Sequence, residues 1–266
     1  MILLFRWPSI CWIAFILFTS AAAALPIDEK EPIFNSSVED SALSLLKRSL
    51  NFLANQKQFG FTAELGFDTV QDDGQKIEFG ARSQIIIQRP DRIWAESHER
   101  NGQKRQLIYD GKEISFFSER ENTYAIKPKT GTLDDLGVRV PLVQMGYSNF
   151  TEIIMEKFDT GFKVGESTVA GILCDHLTFR NDQIDFQIWV RKSGDPLPVR
   201  WIITYKNDKG QPQFWAQFIE WNLNLKIEDS IFSFTPPKGA EQILFGPPKS
   251  ASLKKFTEQL KREEQQ

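Results

Sequence analysis

Between residues 59 and 127, and again between 164 and 234, the side-chain pattern has period two and is cut by short polar breaks. Ile114 and Phe116 fall on one side of their segment, Ser115 and Phe117 on the other. Only an extended strand puts neighbours on opposite faces in this way. The breaks carry turn chemistry: Asp72-Asp73-Gly74, Asn101-Gly102, Asp110-Gly111, Ala170-Gly171 and Asn181-Asp182. Asn-Gly and Asp-Gly supply the positive φ that tight hairpins need. The pattern predicts strands at 61–70, 76–88, 92–99, 104–109, 113–118 and 123–127. A second set is predicted at 164–169, 172–180, 184–191, 198–206, 213–223 and 231–234. Strands joined by such short turns form antiparallel meanders.

Two stretches have helical periodicity instead. Val38, Ala42, Leu45, Leu46, Leu50 and Leu53 recur at three- and four-residue spacing, which predicts a helix over 37–55 with one apolar face. Ser36 followed by Glu39 reads as its capping box. Residues 131–160 read as a helical crossover between the meanders, with Pro141 separating two helices, or as a cover over one end of the sheet.

Residues 1–24 have Arg6, an apolar run and Ala21 to Ala24, and read as a secretory signal peptide; a retained membrane anchor is the alternative. Cys11 lacks the Leu and small residues that precede a lipidated cysteine, so no lipid anchor is expected. Residues 25–35 read as a linker, 36–246 as a single domain, and 247–266 as a charged tail. With that leader removed, the expected location is the periplasm and no stable membrane insertion is expected.

The charges nearly balance, at 32 basic against 35 acidic residues, and the basic ones are scattered. A nucleic-acid binder needs a concentrated basic face, so that class is not expected. The 22 Phe and 7 Trp suit a pleated core, or the lining of a cavity within one.

Candidate chemistry centres on Cys174-Asp175-His176. Cys174 and His176 share a strand face, while Asp175 points to the other and cannot readily orient the histidine. One Cys and one His fall short of a metal-ligand set. The expectation is no catalytic residue, no metal, no cofactor and no enzyme activity. Asp175 and Asp185 are expected to form ion pairs with Arg180, Arg191 or Arg200.

The same region carries a recognisable pattern: Gly171-Ile-Leu-Cys174-Asp175-His176-Leu177, Phe179-Arg180, Asp185-Phe-Gln-Ile-Trp189-Val190 and Pro196-Leu197-Pro198. Tyr109-Asp110-Gly111 precedes it, and Phe232-Ser-Phe234-Thr-Pro236-Pro237 follows. Together these resemble a family of predicted exported bacterial proteins of unknown function, within the superfamily of LolA- and LolB-like lipoprotein carriers. Phe186 and Thr178 depart from the Trp and Ala more usual there. The resemblance implies an α+β, mostly β fold: a curved antiparallel sheet, an open half-barrel, with helices on its concave face. In the carriers, the space between sheet and helices holds acyl chains.

Ile184, Phe186, Ile188 and Val190 form one face of their strand, and Trp201 falls on an apolar side of the next. Segment 213–223 offers Phe214, Ala216 and Phe218 on one side and Trp215, Ile219 and Trp221 on the other. Ile184, Phe186, Ile188, Val190, Trp201, Phe214 and Phe218 are therefore the candidate lining of a ligand cavity, or alternatively plain core. The expected function is binding of a lipid or lipoprotein acyl chain. The alternatives are an envelope protein-interaction or sensor module without ligand and, third, an enzyme using Cys174 and His176.

Overall fold

The computed structural model describes residues 37–136, 142, 145 and 158–244. The leader, the linker, the charged tail and most of the inter-meander segment lie outside the described residues. The first meander is β1 (Gln58–Val70), β2 (Lys76–Gln88), β3 (Arg92–Glu99), β4 (Lys104–Tyr109), β5 (Glu113–Ser118) and β6 (Thr123–Pro128). The second is β7 (Thr160–Val169), β8 (Ile172–Arg180), β9 (Ile184–Arg191), β10 (Pro198–Tyr205) and β11 (Gln213–Asn222). A two-residue β12 (Glu241–Gln242) is the last described strand.

All twelve strands belong to one open, curved sheet in the order β12-β6-β5-β4-β3-β2-β1-β11-β10-β9-β8-β7. Each meander pairs in sequence order, and the two join where β1 meets β11 antiparallel. The turns behave as their sequences require. Ala170 and Gly171 both take positive φ, 49° and 80°, the type I′ arrangement that matches strand twist.

Three register shifts interrupt the second meander and its seam with β1: at Lys163/Gly165, at Pro198/Arg200, and where Thr62 and Ala63 face Glu220 and Phe218. A bulge adds an unpaired residue and sharpens local twist. The third one reassigns a side chain. Ile219 is the extra residue, so Trp221 turns to the same face as Phe218 rather than the opposite one. Its ring lies 5.0 Å from Phe61 and 4.9 Å from Phe218.

The helix α1 (Asp40–Ala54) is shorter than its periodicity predicts. Val38 bridges to Gly161, and the Glu39 N–H donates to the Gly161 carbonyl at 2.8 Å, so residues 38 and 39 run extended. Glu39 is the N-cap and makes no side-chain cap bond, and Ser36 lies outside the described residues. Ala42, Leu46, Ser49, Leu50 and Leu53 form the buried stripe of α1. It packs on one face of the sheet, the inner face, among Phe59, Phe61, Ile87, Leu177, Phe179, Phe186 and Ile188. Of the predicted crossover, a 3-10 turn at Leu133–Leu136 is described, and Leu142 and Met145 are buried in the same core.

Residues 229–242 cross the outer face of the first meander. The predicted strand 231–234 is not formed: residues 231 and 232 end a 3-10 turn, Asp229–Phe232, and 233–234 are irregular. Pro236 and Pro237 follow and cannot donate to a ladder. Phe232 is buried near the Arg92 guanidinium, and Phe234 packs against Phe117 and Tyr124. The segment then adds β12 parallel to β6.

Candidate functional site

Cross-strand register assembles the most distinctive feature of the inner face. Phe79 lies opposite Phe67, and Phe67 opposite Phe214. Phe214 faces Ile203, Ile203 faces Phe186, and Phe186 faces Phe179. Directly opposed residues share a face, so these six side chains form one row across six strands. Strands lie about 4.8 Å apart, which makes the row about 24 Å long. Phe67 and Phe79 stack at 5.9 Å.

The row runs from water into the core. Phe79 is 40% exposed, Phe67, Phe214 and Ile203 are half-buried, Phe186 is 4% exposed and Phe179 is 1% exposed. The gradient follows from the path of α1, which contacts β7, β8 and β9. It covers the Phe179 end and leaves the Phe79 end open. Ile77, on the same side of β2 as Phe79, is 38% exposed.

The predicted cavity-lining residues all lie on this face. Phe186, Ile188, Val190, Trp201 and Phe218 belong to the packed core, while Ile184 and Phe214 pack against it and are half-buried. Phe67, Phe79 and Ile203 are not among the candidate lining residues, although Ile203 falls on the Trp201 side of its strand. Each alternates correctly within its own strand, but the β1–β11 pairing puts Phe67 and Phe79 in line with Phe214, and the β10–β11 pairing puts Ile203 there. Two clefts lined by described residues lie elsewhere, on the outer face. One of about 130 Å³ is bordered by Phe117 and Phe234, and one of about 70 Å³ by Gly60 and Leu225.

The motif residues occupy both faces of β8 and β9. Cys174 and His176 pair with Arg191 and Trp189 on the outer side, and Asp175 pairs with Val190 on the inner side. His176 stacks on Trp189 at 4.1 Å and 10°, and its Nε2 meets Gln187 Oε1 at 3.0 Å. Burial lowers its pKa, against the raising effect of that bond. Asp185 receives two bonds from Arg180, at 2.6 and 2.8 Å, as expected. Asp175 does not pair with an arginine. It is buried, and Lys163 Nζ stands 2.7 Å from its Oδ1. The bulge after Lys163 sets this register: Lys163 lies opposite Leu177, on the inner side with Asp175. Pro198 is buried, and its carbonyl accepts the Trp221 indole N–H at 2.9 Å; Pro196 is half-buried in the turn before it.

Cys174 is fully buried, and its Sγ is 3.3 Å from the Ile172 carbonyl. Burial pushes the thiol pKa up, so thiolate is scarce at neutral pH. Alkylation of Cys174 by iodoacetamide should be at least about a hundredfold slower in the native protein than in denaturant. Peptide mass spectrometry measures this, and equal rates would refute the burial. Among the described residues, no three His, Cys, Asp or Glu side chains converge to hold a metal ion.

The outer face holds a cluster that the sequence did not announce. Trp215 lies so close over Gly66 that an added Cβ would stand 2.3 Å from its ring. Its indole N–H donates to Glu78 at 3.2 Å, and Arg100 and Arg200 lie 5.9 and 5.1 Å from its ring centre. Gly66 and Gly80 are buried beneath this cluster.

A family model described as "Predicted periplasmic protein (DUF2092)" matches residues 42–246. The chain belongs to this family. DUF2092 thus covers α1 from its third residue and every described strand. No curated protein matches the chain. Similar solved structures include an uncharacterized conserved protein from Thermus thermophilus, 14% identical, with 77% of this chain and 99% of that one covered and a TM-score of 0.45. Another is the lipoprotein LppX of Mycobacterium tuberculosis, 13% identical, covering 71% and 100%, TM-score 0.43. A third is a LolA superfamily protein from Nitrosomonas europaea, 15% identical, covering 73% and 97%, TM-score 0.38. Among the described residues of this DUF2092 member, no helix is long and apolar enough to cross a membrane.

Proposed function

We propose that this protein binds a hydrophobic molecule, a lipid or a lipoprotein acyl chain, in the periplasm. The tail lies along the row from Phe79 toward Phe179. The observation that carries the reading is the exposure gradient along that row. A row wholly in the core would be packing, and one wholly in water would be a liability. A row that begins in water and ends under α1 gives an acyl tail a continuous apolar path. Each methylene that leaves water for it contributes roughly 0.8 kcal/mol. Cys174 and His176 have no part in this role. The thiol is buried, and Asp175 is engaged with Lys163 on the other face.

Native mass spectrometry of the full chain, purified without detergent, tests the reading together with titration by a fluorescent fatty-acyl probe. A retained lipid or a saturable probe signal is expected. Phe79→Asp should weaken probe binding by about ten- to a hundredfold, the loss of one buried aromatic contact. Its melting temperature should barely change, because Phe79 is already 40% exposed. An empty protein that binds no probe, or a Phe79→Asp variant that binds as wild type does, would overturn the proposal.

A further inference from the structure

Three tryptophans follow one another on β10 and β11, and their indole N–H groups have different fates. Trp215 donates to Glu78 and Trp221 donates to the Pro198 carbonyl. Trp201 Nε1 is buried and has no hydrogen-bond partner. Buried indole N–H groups ordinarily find an acceptor, and an orphan calls for an explanation. The residue is 2% exposed, and its ring lies 6.3 Å from Phe186 and 5.2 Å from Phe218.

The position of Trp201 gives the orphan a meaning. It stands two residues from Ile203 on the same face of β10, beside the point where the row passes from half-buried Ile203 to buried Phe186. A second orphan lies in the facing layer. Ser49 belongs to the buried stripe of α1, is 0% exposed, and its Oγ has no partner. Trp201 on the sheet and Ser49 on α1 are thus two unpartnered polar groups whose neighbours in the core are mainly apolar. A plain hydrocarbon would leave both unsatisfied.

We infer that the ligand is an acyl compound, an ester or amide of a fatty acid, whose carbonyl oxygen accepts the Trp201 indole N–H. The inference rests on the lipid-binding reading and narrows it. Trp201 becomes the residue that selects acyl chains over hydrocarbons of equal length. The tail beyond the carbonyl lies toward Phe179, and the alcohol or amine part lies toward the open Phe79 end.

The test uses the full chain labelled with ¹⁵N at tryptophan indoles, and two probes delivered from cyclodextrin: methyl dodecanoate and tetradecane. Wild type should prefer the ester by about tenfold, the usual effect of satisfying one buried donor. The Trp201 N–H resonance, assigned by its loss in Trp201→Phe, should move downfield with the ester and not with the alkane. Trp201→Phe keeps an aromatic ring and should bind both probes equally. If the variant folds poorly, an ester-specific downfield shift of a single indole resonance in wild type still decides. Equal wild-type affinity for the two probes, or a bound ester that leaves every indole resonance in place, overturns the inference, the orphan then being met by water. In that outcome, tetradecane binding leaves the hydrophobic-ligand reading standing. Binding of neither probe fails that reading and this inference with it.

Discussion

Phe186→Ala is expected to lower the unfolding free energy by about 3–5 kcal/mol, the range for deleting a buried phenylalanine ring. The site has little room to relax. Phe186 is 4% exposed and stacks on Phe158 at 5.8 Å with planes 3° apart. Phe179 and Trp201 stand 6.4 and 6.3 Å from it. Aromatic neighbours are rigid and cannot flow into the space left behind, so a cavity term adds to the lost transfer free energy. Urea unfolding monitored by circular dichroism reads the change as a lower midpoint at unchanged slope. A loss under about 1 kcal/mol would mean that this part of the row is loosely packed, and would move the core boundary toward Phe179. Paired with Phe79→Asp, the variant separates the two ends of the row: stability should fall on changing the buried end and barely move on changing the exposed one.

Individual strands were legible in the sequence because each hairpin is local. Period two and the Asn-Gly and Asp-Gly breaks placed β2, β3, β4, β5, β8 and β9 with the observed ends. The apolar row was not legible, because it is a property of register. Nothing near Phe67 indicates that it faces Phe214, since the two lie on strands separated by the whole of both meanders. Which part of the row is open depends on where α1 crosses, and that depends on Gly161 holding residues 38 and 39 extended. Bulges defeated alternation in the same way. One extra residue at Ile219 moved Trp221 across the sheet. The shift after Lys163 gave Asp175 a lysine partner where arginine was expected. The reading of Asp175 as facing away from Cys174 and His176 held, because β8 itself carries no bulge against β9.

Arg89→Ala should be the most damaging change outside the apolar core, at about 3 kcal/mol. Arg89 directly follows β2, and its guanidinium fork serves three backbone carbonyls. Nη1 donates to Leu53 at 3.2 Å and to Gln56 at 2.5 Å, and Nη2 donates to Met145 at 2.9 Å. The Leu53 carbonyl, in the last turn of the helix, also accepts the Gln56 N–H at 3.1 Å, and the Gln56 carbonyl lies just beyond. That end of α1 has no basic residue of its own in its last turn, so Arg89 supplies the cation that the helix dipole favours there. The guanidinium lies 5.4 Å from the Phe59 ring centre, and burial lowers its pKa to about 10, with Asp134 opposing the shift. It therefore stays charged at neutral pH despite partial desolvation. Removing it takes the side-chain donor from the Gln56 and Met145 carbonyls, which is why the expected loss exceeds that of an ordinary surface arginine. Arg89→Lys keeps the charge but not the fork, and one ammonium cannot serve carbonyls on both sides. It should recover less than half of the lost stability in urea unfolding. Hydrogen exchange should show the amides of residues 53–57 exchanging faster in both variants. If Arg89→Ala unfolds within about 1 kcal/mol of wild type, or Arg89→Lys matches wild type, then α1 is held on the sheet by its apolar stripe alone.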